Sequence, residues 1–332
     1  MTGETRPPLV DKFGRVHRYL RVSVTDRCNF RCGYCMPTEG VEWRPRAEIL
    51  TIEEIERLVT IFASLGIQKV RYTGGEPTLR KGIERLIEHA AMTPGITSVH
   101  MTTNGSALKK KAQTYRDNGL NGLNISLDTL QPNKFVELTG EDMLFRVLDG
   151  IEEALAVGFD SIKINVVAMK GFNDDEILDF VEMTRAKPVE VRFIEFMPFD
   201  NNGWNKASLL SYAEMLSTIS SRYELTKLDT DTSAVGKEFS IEGHAGKIGF
   251  VTSMTENFCS GCDRVRLTSD GGIKSCLFFP PHSNVRDAMR AGANDDEIAE
   301  VIRDTVSKKR KEHPDLTLLS KMKNATMVSI GG

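Results

Sequence analysis

The chain has 332 residues, 40% of them hydrophobic, and a formal net charge of −3. A chain of this length buries a large core and exceeds the size at which one core usually splits, while the near-neutral charge gives no global pull towards nucleic acid. No apolar run approaches the ~20 residues that cross a bilayer, and six cysteines without a secretory segment in the short polar N-terminus predict a cytoplasmic, reducing setting, with thiols that are ligands before they are disulfides.

The first strand is read from Leu20-Arg21-Val22-Ser23-Val24, and shortly after it comes Cys28-Asn29-Phe30-Arg31-Cys32-Gly33-Tyr34-Cys35. Three thiolates this close hold three corners of a metal centre and leave a fourth open. A four-iron cluster normally takes four cysteines, so a tight set of three points to a cluster with one iron kept for a small molecule. Structural zinc is the other reading, but it prefers four protein ligands in paired spacing, and nothing near Cys35 supplies the fourth.

Thr51-Ile-Glu-Glu54 then reads as a capping box that opens a helix with Ile52, Ile55, Leu58, Val59, Phe62 and Leu65 at helical spacing, ended by Gly66. Further strands are predicted at residues 69–73, 99–103, 122–127, 163–168 and 191–196. With helices between them, about the first 220 residues follow the pattern of a parallel sheet with crossover helices. Small and polar residues gather at the strand ends: Gly74-Gly75-Glu76-Pro77, Thr102 to Gly105, Ser126 with Asp128, Asn165 on the fifth strand, and Met197-Pro198. The paired glycines let backbone approach a ligand and expose amides; standing alone they would read as a tight turn. Sites built at that end are the habit of (βα) barrels. The expected fold is therefore α/β, a partial, TIM-like (βα)6 open barrel of parallel strands in residues 1–220, followed by a C-terminal iron-sulfur lobe in residues 221–332. The boundary is drawn from a polar, Thr/Asp-rich, weakly periodic stretch at 220–240, after which residues 246–252 read as a short strand.

Cys259-Ser-Gly-Cys262, with Cys276 after thirteen intervening residues, repeats the pattern of three thiolates without an obvious fourth. His244 would complete a zinc site only from a separate segment fifteen residues before Cys259. Otherwise this site also keeps an iron open to a non-protein ligand. Between these cysteines, Arg264-Val265-Arg266 places two arginines on one side of a strand. Lys69-Val70-Arg71 repeats the device, and Arg21, Lys163 and Arg192 each interrupt an apolar strand. Such charges are expensive to bury unless paired. Pairing with Glu190 or Glu195, or exposure on the rim, accounts for any one of them; the seven together fit a cradle for a multiply charged anion such as a triphosphate.

With Tyr34 before its last cysteine, the first motif resembles that of the radical S-adenosylmethionine enzymes. Val191-Arg-Phe-Ile-Glu-Phe-Met-Pro198, Asn257-Phe-Cys-Ser-Gly-Cys-Asp-Arg-Val-Arg-Leu267, Ser275-Cys-Leu-Phe278 and Ile330-Gly331-Gly332 narrow the resemblance, over most of the chain, to the GTP 3′,8-cyclase family of molybdenum cofactor (molybdopterin) biosynthesis. The resemblance implies two [4Fe-4S] clusters facing each other across one cavity, on Cys28, Cys32 and Cys35 and on Cys259, Cys262 and Cys276. It implies S-adenosylmethionine on the open iron of the first, beside Tyr34, Gly74, Gly75, Glu76, Ser126, Asn165 and Met197, and its one-electron cleavage to a 5′-deoxyadenosyl radical. GTP is the implied substrate, its guanine on the open iron of the second cluster, with Arg21, Lys69, Arg71, Thr102, Lys163, Arg192, Arg264 and Arg266 around the nucleotide. Loss of the ribose C3′ hydrogen and attack on C8 would give the 3′,8-cyclised dihydro-GTP. Arg264, Arg266 and a tail ending in Gly331 and Gly332 are the expected catalytic helpers, with Leu318, Leu319, Met322 and Met327 anchoring the segment before the tail.

The same resemblance implies an external electron donor and a downstream cyclic pyranopterin monophosphate synthase, with no nucleic acid or membrane partner; the sequence leaves a homodimer open. Two rival readings are a peptide-modifying radical S-adenosylmethionine enzyme with an auxiliary cluster, which usually carries more C-terminal cysteines, and a zinc-stabilised binding module.

Overall fold

In the strand Ser161–Ala168 every second residue is buried, so one face meets a core and the other a different environment. The computed structural model, which describes residues 6–36, 43–230, 236–256, 258–322 and 327, repeats that phase from strand to strand. Its strands are β1 (Tyr19–Ser23), β2 (Lys69–Thr73), β3 (Ser98–Thr103), β4 (Gly122–Ser126), β5 (Ser161–Ala168), β6 (Glu190–Glu195), β7 (Leu225–Lys227), β8 (Lys237–Ile241), β9 (Lys247–Val251), β10 (Arg264–Leu267), β11 (Gly272–Lys274) and β12 (Ser283–Asn284). All twelve form one sheet in the order β12-β11-β10-β1-β2-β3-β4-β5-β6-β9-β8-β7.

The six strands read from the N-terminal part are parallel neighbours, as expected for a partial barrel, and two further parallel strands flank them, β10 beside β1 and β9 beside β6. Antiparallel pairs continue the sheet outwards on both sides. The order ends at β12 and β7, so the barrel stays open. The segment beyond residue 220, for which a separate C-terminal lobe is the expectation, thus adds strands to both ends of the same sheet. Ile248, Phe250, Val265 and Leu267 join one core with Leu20, Val70 and Ile164. The polar 220–240 stretch also holds more structure than its composition suggests, because β7 is an outer strand with two exposed residues of three and carries no hydrophobic period.

Helices cover the outer face. Ile52–Ser64 begins at the predicted capping box, with Thr51 and Glu54 reciprocally bonded, and ends before Gly66 at φ 90°. Its Ile55, Leu58 and Phe62 are fully buried against the sheet core; truncating Phe62 would cost about 3–5 kcal/mol. A second, smaller apolar cluster centres on Phe199, Phe278 and Leu319, with Met197, Met254, Cys276, Met322 and Met327 packed against it. The Phe199 and Phe278 rings stack at 5.7 Å. Of the expected C-terminal anchors, Leu319, Met322 and Met327 pack here, whereas Leu318 is 51% exposed because it lies on the outer side of the short helix Leu316–Leu319. No helix among the described residues is long and apolar enough to cross a membrane.

Candidate active site

The face of the sheet opposite the helices is polar because polar residues occupy the alternate phase of every strand. Where Leu20, Val70, Val99, Leu123, Ile164, Val191 and Val265 enter the core, Arg21, Lys69, Arg71, His100, Thr102, Asn124, Lys163, Asn165, Arg192, Arg264 and Arg266 fall on the inner face. All seven cations read from the sequence therefore share one face. Strand register aligns several of them: Lys274 pairs with Arg266, Arg266 with Arg21, Arg21 with Arg71, and Arg71 with His100. Cys28 follows the C-terminal end of β1, whereas Cys262 precedes the N-terminal end of β10. Since β1 and β10 run parallel, the two cysteine triplets lie at opposite ends of adjacent strands, with Arg21 and Arg266 between them.

Lys163 and Arg192 share one carboxylate. Glu190, itself buried, accepts from Lys163 and from Arg192 Nε at 2.9 Å. Among the described residues Glu195 pairs with no cation; it accepts from the backbone N–H groups of Tyr212, Met254 and Thr255 and so ties β6 to the segment after β9. Among the described residues no carboxylate forms a salt bridge with Lys69, Arg71, Arg264, Arg266 or Lys274. Arg71 Nε donates to the Tyr19 hydroxyl, and Arg264 lies over the Phe258 ring.

The crowding shows in the titrating groups. Burial, Arg71, Lys69 and Lys163 push His100 down to about 2, so its imidazole is neutral. Burial opposes ionisation of Tyr19, yet Arg71, Arg21 and Lys69 bring it down to about 8. Burial and Arg264 lower Arg266 to about 10, and burial and Arg266 lower Lys274 to about 8. Arg71 Nη1, Arg266 Nη1, Lys274 Nζ, Thr102 Oγ1, Asn124 Oδ1 and Asn165 Oδ1 are buried without a hydrogen-bond partner among the described residues. Each such orphan costs about 1–3 kcal/mol. An anionic, hydrogen-bonding ligand on this face would relieve both the repulsion and the missing bonds.

The first cysteine loop is held from beneath. Phe30 is buried against Phe135, with ring centroids 5.7 Å apart, while Arg31 and Gly33 donate their N–H groups to Thr139 and Leu138. Burial pushes the Cys28 thiol up to about 11 and the Cys35 thiol up to about 12, and it also raises Cys32, with repulsion from Cys35, Asp128 and Cys28 adding to the effect. In the second triplet burial raises Cys259, with repulsion from Cys276 and Cys262. Thiolates that repel in this way require a positive centre between them. Among the described residues, however, no three His, Cys, Asp or Glu side chains converge on a single ion position. Three closely spaced thiols are the donor set of a four-iron cluster, where each cysteine takes its own iron. His244 is engaged elsewhere, 2.7 Å from the Thr184 hydroxyl and against the Tyr223 ring, so it completes no zinc site with Cys259.

The residues expected around the small-molecule cofactor divide into several groups. Tyr34 donates to Asp128 at 2.7 Å and lines a cavity of about 680 Å³ with Gly33, Met169, Phe196 and Asn202. Burial raises Asp128 to about 6. Ser126 and Asn165 are register partners on the inner face. At Gly74 and Gly75 a Cβ would lie 2.5 Å from the Thr25 oxygen and 2.3 Å from the Arg27 oxygen. The amides of Gly75 and Glu76 are taken by those same carbonyls at 2.9 and 2.7 Å. The glycines therefore admit the cysteine-bearing loop, and the Gly75 amide, expected to be exposed, is taken by it. Glu76 is likewise consumed internally, accepting from Thr78, from the Thr103 hydroxyl and from Asn104 N–H. Asn104 Nδ2 in turn donates to Asn29 between the first two cysteines. Met197 packs with Cys276 on the second apolar cluster. Gly331, Gly332 and Asn257 lie outside the described residues.

The sequence reading passes over Tyr19, His100, Asn124 and Lys274. The first three carry the same signal as the cations, a polar residue in the inner phase of an apolar strand. Lys274 carries none, because β11 is only three residues long.

A family model described as the radical SAM superfamily matches residues 22–184, and one described as molybdenum cofactor synthesis C matches residues 189–314. The chain is 47% identical to "GTP 3',8-cyclase, mitochondrial" of Arabidopsis thaliana, over 98% of this chain and 83% of that one. It is 42% identical to "GTP 3',8-cyclase" of Alkaliphilus metalliredigens, over 97% of this chain and 99% of that one. It is also 43% identical to human "Molybdenum cofactor biosynthesis protein 1", over 97% of this chain but 51% of the human one, so it spans about half of that relative. Among solved structures, Streptococcus suis SuiB bound to precursor peptide SuiA has a TM-score of 0.61 at 16% identity, covering 95% of this chain and 70% of that one. The shared feature there is the fold.

Proposed function

The chain belongs to the GTP 3′,8-cyclase family of the radical S-adenosylmethionine superfamily, and on that premise we propose that it cyclises GTP to (8S)-3′,8-cyclo-7,8-dihydroguanosine 5′-triphosphate, the first step of molybdenum cofactor biosynthesis. The observation that carries this reading is the register row Lys274-Arg266-Arg21-Arg71 on the inner face, placed between two cysteine triplets. A triphosphate matches that row in charge and supplies acceptors for the orphaned donors of Arg71, Arg266 and Lys274.

Cys28, Cys32 and Cys35 would hold one [4Fe-4S] cluster, and Cys259, Cys262 and Cys276 a second. When bound, the first cluster and S-adenosylmethionine supply the one-electron chemistry that removes a hydrogen atom from the ribose C3′. The chain's own contribution is position. Lys69, Arg71, Arg264, Arg266 and Lys274 neutralise the phosphates, while Glu190 keeps Lys163 and Arg192 aimed at the same face. Thr102, Asn124 and Asn165 offer buried polar atoms to the nucleotide and the small-molecule cofactor. Tyr34, locked by Asp128, sets one wall of the cleft next to the first triplet. C3′ and C8 belong to one nucleotide, so the chain's part in ring closure is to hold that nucleotide in the conformer that brings them together. An external reductant supplies electrons, and the product passes to a cyclic pyranopterin monophosphate synthase.

Anaerobic reconstitution, iron analysis and incubation with GTP, S-adenosylmethionine and a reductant test this reading. About eight irons per chain and a GTP-derived product of unchanged mass are expected. Cleavage of S-adenosylmethionine without any change in GTP would count against it.

A further inference from the structure

Lys309 plays no part in the readings above, yet it is one of the most enclosed cations in the chain, with 3% of its surface exposed. It follows the helix Asp295–Ser307. Its ammonium lies 3.3 Å from Cys262 Sγ, 3.2 Å from the Cys262 carbonyl oxygen and 3.0 Å from that of Arg264. All three N–H donors are thus directed at one stretch of three residues. No carboxylate among the described residues forms a salt bridge with it, and the one side chain that its ammonium touches is that of Cys262. Burying a lysine without compensation is expensive, and a neutral thiol would not offset it.

The segment that carries Lys309 is fixed independently. Arg15 donates to the Cys259 carbonyl oxygen at 2.7 Å and to those of Lys311 and Arg310 at 2.8 and 2.7 Å, and Asp11 holds Arg15 Nε at 2.6 Å. This brace ties the Cys259 loop to residues 310–311 without using Lys309, so the ammonium is spare for the sulfur. The first triplet differs: among the described residues no lysine or arginine side chain donates to its sulfurs, and Cys28 Sγ receives the Phe30 N–H at 3.4 Å.

We propose that Lys309 is a positioning residue for the second cluster, donating a charge-assisted hydrogen bond to its Cys262 ligand and thereby raising that cluster's reduction potential. Hydrogen bonds to ligand sulfur and local net charge are the protein's principal means of setting such potentials. The proposal rests on the reading that Cys259, Cys262 and Cys276 hold a cluster.

The test uses the full-length chain with Cys28, Cys32 and Cys35 replaced by alanine, reconstituted anaerobically, with the midpoint potential read by EPR-monitored redox titration. That protein is expected to keep about four irons; if it keeps none, the two-cluster reading fails and the proposal with it. Added Lys309→Met should shift the potential to more negative values, and Lys309→Gln, which keeps an N–H donor but no charge, should fall between. Four retained irons with an unmoved potential in either variant would overturn the proposal alone. Loss of iron in both variants, with an unchanged circular-dichroism spectrum, also overturns it, because Lys309 would then build the loop rather than tune the cluster.

Discussion

Arg266 faces Lys274 directly across the antiparallel β10–β11 pair, and both end in buried nitrogens without a hydrogen-bond partner among the described residues. Two neighbouring cations in this state destabilise the empty protein. They are held in place by strand pairing, so they form a site prepared for an anion.

Lys274→Met and Arg266→Ala should each weaken GTP binding roughly ten- to hundredfold, the ~1.5–3 kcal/mol of a lost charge-assisted contact. Equilibrium binding under anaerobic conditions checks this, with iron content and S-adenosylmethionine cleavage as controls that should hardly change. Equal loss of cleavage and of GTP binding would count against a substrate role for either residue.

Glu190 neutralises Lys163 and Arg192 together. Glu190→Gln leaves both buried cations undercompensated, and breaking a buried pair costs about 3–5 kcal/mol. GTP should restore part of that loss, so the rise in melting temperature on adding GTP should be larger in the variant than in the parent. A smaller rise would mean that Lys163 and Arg192 do not reach the ligand.

His100 gives the site a pH signature. Its folded pKa, about 2, lies below the 6.5 of a free imidazole because burial and then Arg71, Lys69 and Lys163 disfavour the imidazolium. Between those values the unfolded chain binds the extra proton, so stability falls as pH drops below 6.5. Urea unfolding of the metal-free chain at pH 7 and pH 5 should show His100→Gln losing about 2 kcal/mol less than the parent over that interval. Parallel losses would show that His100 takes up its proton over the same pH interval in the folded chain as in the unfolded one.

Met327 packs on the same apolar cluster as Cys276, which puts the base of the C-terminal tail beside the second triplet. Deleting Gly331 and Gly332 should leave melting temperature, iron content and GTP binding nearly unchanged and abolish product formation. Full-rate product from the truncated chain would reduce the tail to a frayed end.

The cysteine triplets, the six parallel strands and the inner-facing cations were legible because each rests on local spacing: Lys69 and Arg71 flank Val70, and Arg264 and Arg266 flank Val265. The row that joins them was not. It depends on β10 pairing with β1, an encounter between residues 19–22 and 264–267 that no local pattern announces. The packing of Gly74 and Gly75 was likewise hidden, since their missing side chains make room for Thr25 and Arg27, which lie about fifty residues earlier. Of the two acids that could pair with the cations, only Glu190 sits in the inner phase; Glu195 shares the core phase of Val191 and Phe193 and turns to backbone amides instead.

The most direct test of the central claim is the fate of the ribose hydrogen. GTP deuterated at C3′ is incubated anaerobically with the reconstituted protein, S-adenosylmethionine and a reductant, and 5′-deoxyadenosine is analysed by mass spectrometry. The account predicts one deuterium in the 5′-deoxyadenosine, formed in step with the cyclised nucleotide and lost in Arg266→Ala. Unlabelled 5′-deoxyadenosine alongside cyclised product would contradict it.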